Sequence, residues 1–122
     1  MAQKYIVDDI VMCKNKIHTI IDTLRLNNYE LSYVRHPVNQ AELSGFPLTP
    51  EILEKNGWKK SKINDCAYFY YKDGLFLTYT SKDGKFWFDD FDYSSSICVE
   101  LPYVHSLQHL FFGMGINHEM EV

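Results

Sequence analysis

The sequence predicts an α+β protein: a small SH3-like barrel or curled N-terminal sheet, followed by an antiparallel β-meander packed with two short helices. Three observations carry this. Residues 5–46 hold short runs rich in Val, Ile, Tyr and Thr, spaced about ten residues apart by turn residues. From Ala67 the apolar pattern changes to a period of two, broken by Asp-Gly turns. Two segments, PLTPEILEKNGW and PYVHSLQHLFFGMG, carry helix start and stop signals. The 122 residues are 46% apolar and 16% aromatic, so a folded core is expected. The chain divides at the turn after Phe46 into a small all-β part, 1–46, and an α+β part, 47–122.

YIVDDIVMC, KIHTIIDTL and YELSYV read as strands, with KNK and RLNN as the turns between them. His36-Pro37 breaks the pattern, because a residue before proline is pushed out of helical geometry. AELSGF is a last short strand or turn. In the next segment Thr49 is a good N-cap, Pro50 fits the first helical position, and Gly57 supplies the left-handed stop. Two turns of helix are too short to stand alone, so Ile52, Leu53 and Trp58 are its expected docking residues. AYFYY, LFLTYT and FWF then form a meander through the Asp73-Gly74 and Asp83-Gly84 turns, with ICVEL as a fourth strand. Pro102 opens a terminal helix that Gly113 and Gly115 close, with Val104, Leu107, Leu110 and Phe111 as its buried stripe.

The formal charge is −4, and the excess acidity lies in the second part, with seven Lys and Arg against eleven Asp and Glu. General nucleic-acid binding is therefore disfavoured, and basic protein partners are favoured. Cys13, Cys66 and Cys98 form no C-x-x-C pair and read as reduced, buried thiols of a cytosolic protein. The acids Asp8 and Asp9 fall where a signal peptide needs its apolar region, and no apolar run approaches a membrane span. A soluble, intracellular protein is expected.

His105 and His109 are four residues apart, the spacing at which a helix presents two metal ligands. Ser106 and Leu107 follow the first histidine, so the glutamate of H-E-x-x-H is missing, and a polar role beside the apolar stripe is the stronger expectation. Asp89-Asp90-Phe91-Asp92 lacks the spacing of a calcium loop; it reads as a loop exposed to solvent, or as carboxylates that mimic phosphates. No nucleophile elbow marks a serine or cysteine, and no glycine-rich loop marks a phosphate site.

The pairing of GFPLTPEILEKNGW (45–58) with VELPYVHSLQHLFF (99–112) resembles a group of small proteins of Bacteroidetes bacteria and their phages. These pair a PLTxExLxxxG(F/W) helix with a YVHxLQxLFF C-terminal helix, and a small barrel-like part often precedes them. The likeness covers roughly residues 43–112. It implies no enzymatic activity, and no cofactor is expected. It implies a setting in prophages and mobile elements, where small acidic proteins often inhibit host nucleases or CRISPR effectors.

The first functional expectation is thus a non-enzymatic phage or mobile-element protein that binds and inhibits a host protein in the host cytoplasm, such as a CRISPR ribonucleoprotein or another defence nuclease. One face of the meander can be covered by the helices. The other is expected to expose Tyr68, Tyr70 and Trp87 as anchors, with Asp89, Asp90 and Asp92 steering the encounter. The same face could pair two copies of the chain. The second expectation is an RNA-binding module that uses the small barrel with Lys14, Lys16, Arg25 and Arg35. The third is a metal-dependent hydrolase.

Overall fold

Strands β1 (Ile10–Cys13) and β2 (Lys16–Thr23) are joined by Lys14 and Asn15, both in the left-handed region, at φ 50° and 64°. Two consecutive positive φ values make the tight turn whose twist matches that of the strands it connects. A 3-10 turn at Arg25–Asn27 leads to β3 (Asn28–Leu31), which pairs with β2 on one side and β4 (Val38–Asn39) on the other. Gln40–Glu42 form a second 3-10 turn, capped by the Asn39 side chain and by Glu42 reaching back. It delivers β5 (Leu43–Gly45) to the free side of β1, with Cys13 opposite Leu43. The antiparallel order is β4-β3-β2-β1-β5, and the sheet curls around Tyr5, Val11, Ile20, Tyr29, Leu31 and Val38.

In this computed structural model residues 3–89 and 98–122 are described, and the chain divides into two units. One is Met1–Pro47 with Tyr103–Met120; the other is Leu48–Pro102 with Glu121–Val122. The terminal helix thus belongs with the N-terminal strands, a different partition from 1–46 and 47–122.

The second unit begins with α1 (Pro50–Lys55). The Thr49 hydroxyl accepts from the Ile52 N–H at 3.3 Å, Pro50 opens the helix, and Gly57 follows its end at φ 86°. Ile52, Leu53 and Trp58 are all buried. Five antiparallel strands follow: β6 (Lys59–Asn64), β7 (Ala67–Lys72), β8 (Leu75–Thr80), β9 (Lys85–Asp89) and β10 (Cys98–Glu100), in the order β10-β9-β8-β7-β6. Strand β6 is not among the strands expected from the sequence. All six of its residues are exposed, so it carries no alternation of buried and exposed positions to reveal it. As an edge strand with Lys59, Lys60 and Lys62, it is guarded against pairing with another chain.

Helix α2 (Val104–Gly113) ends before Gly115, at φ 72°. Val104, Leu107 and Phe111 are buried as expected, but so are His105 and Gln108. Next to this helix the backbone of Gly45 approaches two rings. A Cβ there would lie 2.5 Å from Tyr103 Cγ and 2.8 Å from His105 Cε1. These rings are stacked at 5.3 Å and 8°; His105 is buried and has little room to yield, whereas Tyr103 is 39% exposed and takes up part of the overlap. Gly45→Ala is expected to destabilise the first unit by about 1–3 kcal/mol, read as a shift in the urea midpoint by circular dichroism.

Among the described residues, no helix is long and apolar enough to cross a membrane. Cys13 is buried, whereas Cys66 is exposed in the turn between β6 and β7, contrary to the expectation of buried thiols.

Candidate functional site

The strand register decides which aromatics share a face of the meander. Lys72 lies opposite Leu75, and Tyr70 opposite Leu77. A two-residue turn therefore puts even positions of β7 on the same side as odd positions of β8. The four-residue turn after Thr80 exchanges parity again, because Tyr79 lies opposite Phe86. One face thus holds Tyr68, Tyr70, Leu75, Leu77, Tyr79 and Phe86. The other holds Phe69, Tyr71, Phe76, Thr78 and Trp87.

This corrects the expected set of exposed anchors. Tyr70 is fully buried, edge-on to Phe86 at 5.8 Å and Tyr79 at 6.3 Å. Burial, reinforced by nearby Glu54, pushes its phenol up to about 12. Tyr68 shares that face, where it is half-buried under the Lys60 ammonium at 4.2 Å from its ring centroid. Trp87 is half-buried on the opposite face. That face also carries Tyr71 and Phe76, 38% and 43% exposed, with ring centroids 6.2 Å apart. Glu100, the cross-strand neighbour of Trp87, stands 3.9 Å from Lys85. Asp89 ends β9 opposite Cys98, while Asp90 and Asp92 lie outside the described residues.

The two histidines of α2 have different tasks. His109 Nε2 meets Asp9 Oδ2 at 2.6 Å, and the same oxygen accepts from the Ile6 N–H at 2.9 Å. Asp9 is fully buried. His105 is packed between the Tyr103 ring and the edge-on Tyr5 ring at 5.1 Å, and its Nδ1 has no hydrogen-bond partner among the described residues. Burial lowers its pKa to about 4, against the pull of the Asp9 carboxylate. The two imidazoles do sit near each other, 5.5 Å between centroids. Among the described residues, however, no group of three His, Cys, Asp or Glu side chains is placed to hold a metal ion.

The basic residues named from the sequence are separated by the fold. Lys14, Lys16 and Arg35 line one pocket of about 560 Å³ in the first unit, whereas Arg25 sits in a 3-10 turn away from it. The sequence signal was their charge; what brings them together is the sheet order, which sets the β1–β2 turn beside the β3–β4 loop.

No family model, no curated protein and no solved structure matches the chain.

Proposed function

We propose that this is a non-enzymatic binding protein that docks a partner protein on the outer aromatic face of the meander. In the phage and mobile-element setting implied by the resemblance, the partner is a host CRISPR effector or another defence nuclease, met in the host cytoplasm. The observation that carries the docking face is the register, which gathers Phe69, Tyr71, Phe76 and Trp87 on one side with Tyr71 and Phe76 exposed by more than a third. Charge supports a basic partner: the second unit has seven Lys and Arg against ten Asp and Glu, while the first has five against six. The lysines along β6 disfavour edge-to-edge pairing of two copies, which leaves the face as the surface for contact. In the first unit, the order β4-β3-β2-β1-β5 with a 3-10 turn joining the two outer strands supports an SH3-like barrel. That fold serves many functions and names none.

The test is cleavage of target DNA by a guide-loaded host CRISPR effector, and by host defence nucleases, in the presence of the purified chain. Inhibition is expected, and the double variant Tyr71→Ala/Phe76→Ala is expected to weaken it by about tenfold or more while the folded circular dichroism spectrum is kept at the assay temperature. Unimpaired cleavage at a large excess of the chain would count against the proposal. So would equal inhibition by the double variant.

A further inference from the structure

We propose that the pocket between the β1–β2 turn and the β3–β4 loop of the first unit binds a nucleotide, through its phosphate and its base. Lys14, Lys16 and Arg35 converge on it, together with His18 and His36, against the single carboxylate of Glu42. None of the three permanent cations has a carboxylate partner among the described residues. Like charges brought together without a counter-charge repel, and an anion seated among them relieves the repulsion. Glu42 supplies one negative charge against these three positive ones, and its Oε2 is held by the Asn39 N–H at 3.3 Å in the cap of the 3-10 turn.

Tyr33 supplies the second half of the site. It lines the same pocket, is 99% exposed, and holds φ at 62°. That is a left-handed conformation in which a bulky side chain is disfavoured and glycine or asparagine is at home. Packing does not explain a tyrosine there, because its ring touches no core. A flat aromatic surface beside unpaired cations matches a ligand with a π-face next to its negative charge, which is the chemistry of a nucleotide. The floor is apolar and fixed: Cys13 and Val38 are buried. The wall at His18 is also fixed, because its Nδ1 donates to the Ser32 carbonyl at 2.7 Å.

Size and charge set the scale of the occupant. A volume of about 560 Å³ lies within the usual range for small-ligand sites. The net charge of −4 opposes a long polyanion, whereas one or two phosphates need only the local field. The shared chemistry is therefore a single nucleotide, whether free in solution or at the end of a single strand.

The experiment is an amide NMR titration of the full chain with adenosine 5′-monophosphate, inorganic phosphate, adenosine, and a short 5′-phosphorylated single-stranded RNA. Adenosine monophosphate is expected to shift the amides of residues 13–18 and 33–36 saturably, and to bind about tenfold or more tightly than phosphate or adenosine alone. The double variant Lys16→Ala/Arg35→Ala is expected to weaken it by about tenfold or more. Tyr33→Gly is expected to bring its affinity down to that of phosphate while leaving the melting temperature no lower, since glycine suits the left-handed position. Binding of the RNA tighter than the free nucleotide assigns the site to strand ends, and equal or weaker binding assigns it to free nucleotides. Absence of saturable shifts with adenosine monophosphate and with the RNA would overturn the proposal, as would shifts confined to other residues or affinity unchanged in the Lys16/Arg35 variant. These outcomes concern the first unit alone and leave nuclease inhibition by the meander face to its own assay.

Discussion

Gln108→Leu is expected to destabilise the first unit by about 3–5 kcal/mol, the largest effect of any single substitution considered. Gln108 is fully buried, and its amide is used at both ends. Oε1 accepts from the Ile10 N–H at 2.9 Å, and Nε2 donates to the Asp8 carbonyl at 2.7 Å and the His118 carbonyl at 3.0 Å. One side chain thus ties α2 to the start of β1 and to the tail beyond the helix. Leucine nearly conserves the volume, so the loss isolates the hydrogen bonds from packing. It leaves one buried N–H and two partly buried carbonyls without partners, at about 1–3 kcal/mol for each group that water cannot reach. Gln108→Glu keeps an acceptor for Ile10 but removes both donors at neutral pH, so it too is destabilising. Its deficit narrows in acid, where a protonated carboxyl regains one donor. Both tryptophans, Trp58 and Trp87, lie in the second unit, so the measurement is urea unfolding followed by circular dichroism with amide exchange in residues 10–31. A loss below about 1 kcal/mol in the leucine variant would show that these bonds are not what holds the helix.

The same glutamine shows where sequence reasoning reaches its limit. Helix α1 was legible because its signals are local: Thr49, Pro50 and Gly57 each act on backbone within a turn of themselves. In α2 the apolar stripe was legible for the same reason, and so was a polar role for the residues beside it, but the sequence did not show what Gln108 and His109 bind. Their partners Asp8, Asp9 and Ile10 lie nearly a hundred positions away, and nothing local to either segment records the pairing. The meander shows a different limit. Its strands and turns follow from alternation and Asp-Gly, yet which aromatics face outward depends on the parity of each turn. Alternation read through Asp73-Gly74 without that change of parity puts Tyr70 on the outer face with Phe76, whereas its true cross-strand neighbour is the buried Leu77. The cations of the first unit were visible individually. Convergence of Lys14, Lys16 and Arg35, and exclusion of Arg25, follow only from the sheet order.

Stability of the first unit is expected to fall as pH drops through the window from about 6.5 to about 4, and His105 is the residue responsible. Its imidazole is 6% exposed and enclosed by the rings of Tyr103 and Tyr5. Desolvation is the largest influence on it and disfavours the charged form; His109 and Lys4 push the same way, and the Asp9 carboxylate opposes them. In the unfolded chain the ring titrates near its ordinary value, about 6.5. Above that pH neither state holds the proton and the stability is fully present. Between the two values the unfolded chain binds a proton that the folded chain refuses, so acid favours unfolding, with a limit of about 3 kcal/mol once pH falls below 4. His105→Leu removes the titrating group while keeping an apolar side chain in its place, and is expected to flatten that part of the pH profile. Asp9→Asn removes the one charge that raises the pKa of His105, and is expected to deepen the acid loss from this residue. The direct measurement is an NMR titration of the His105 Cε1 proton in the folded protein. A midpoint near 4 supports the account, and a midpoint near 6.5 would mean that the ring is reached by water and carries no acid sensitivity.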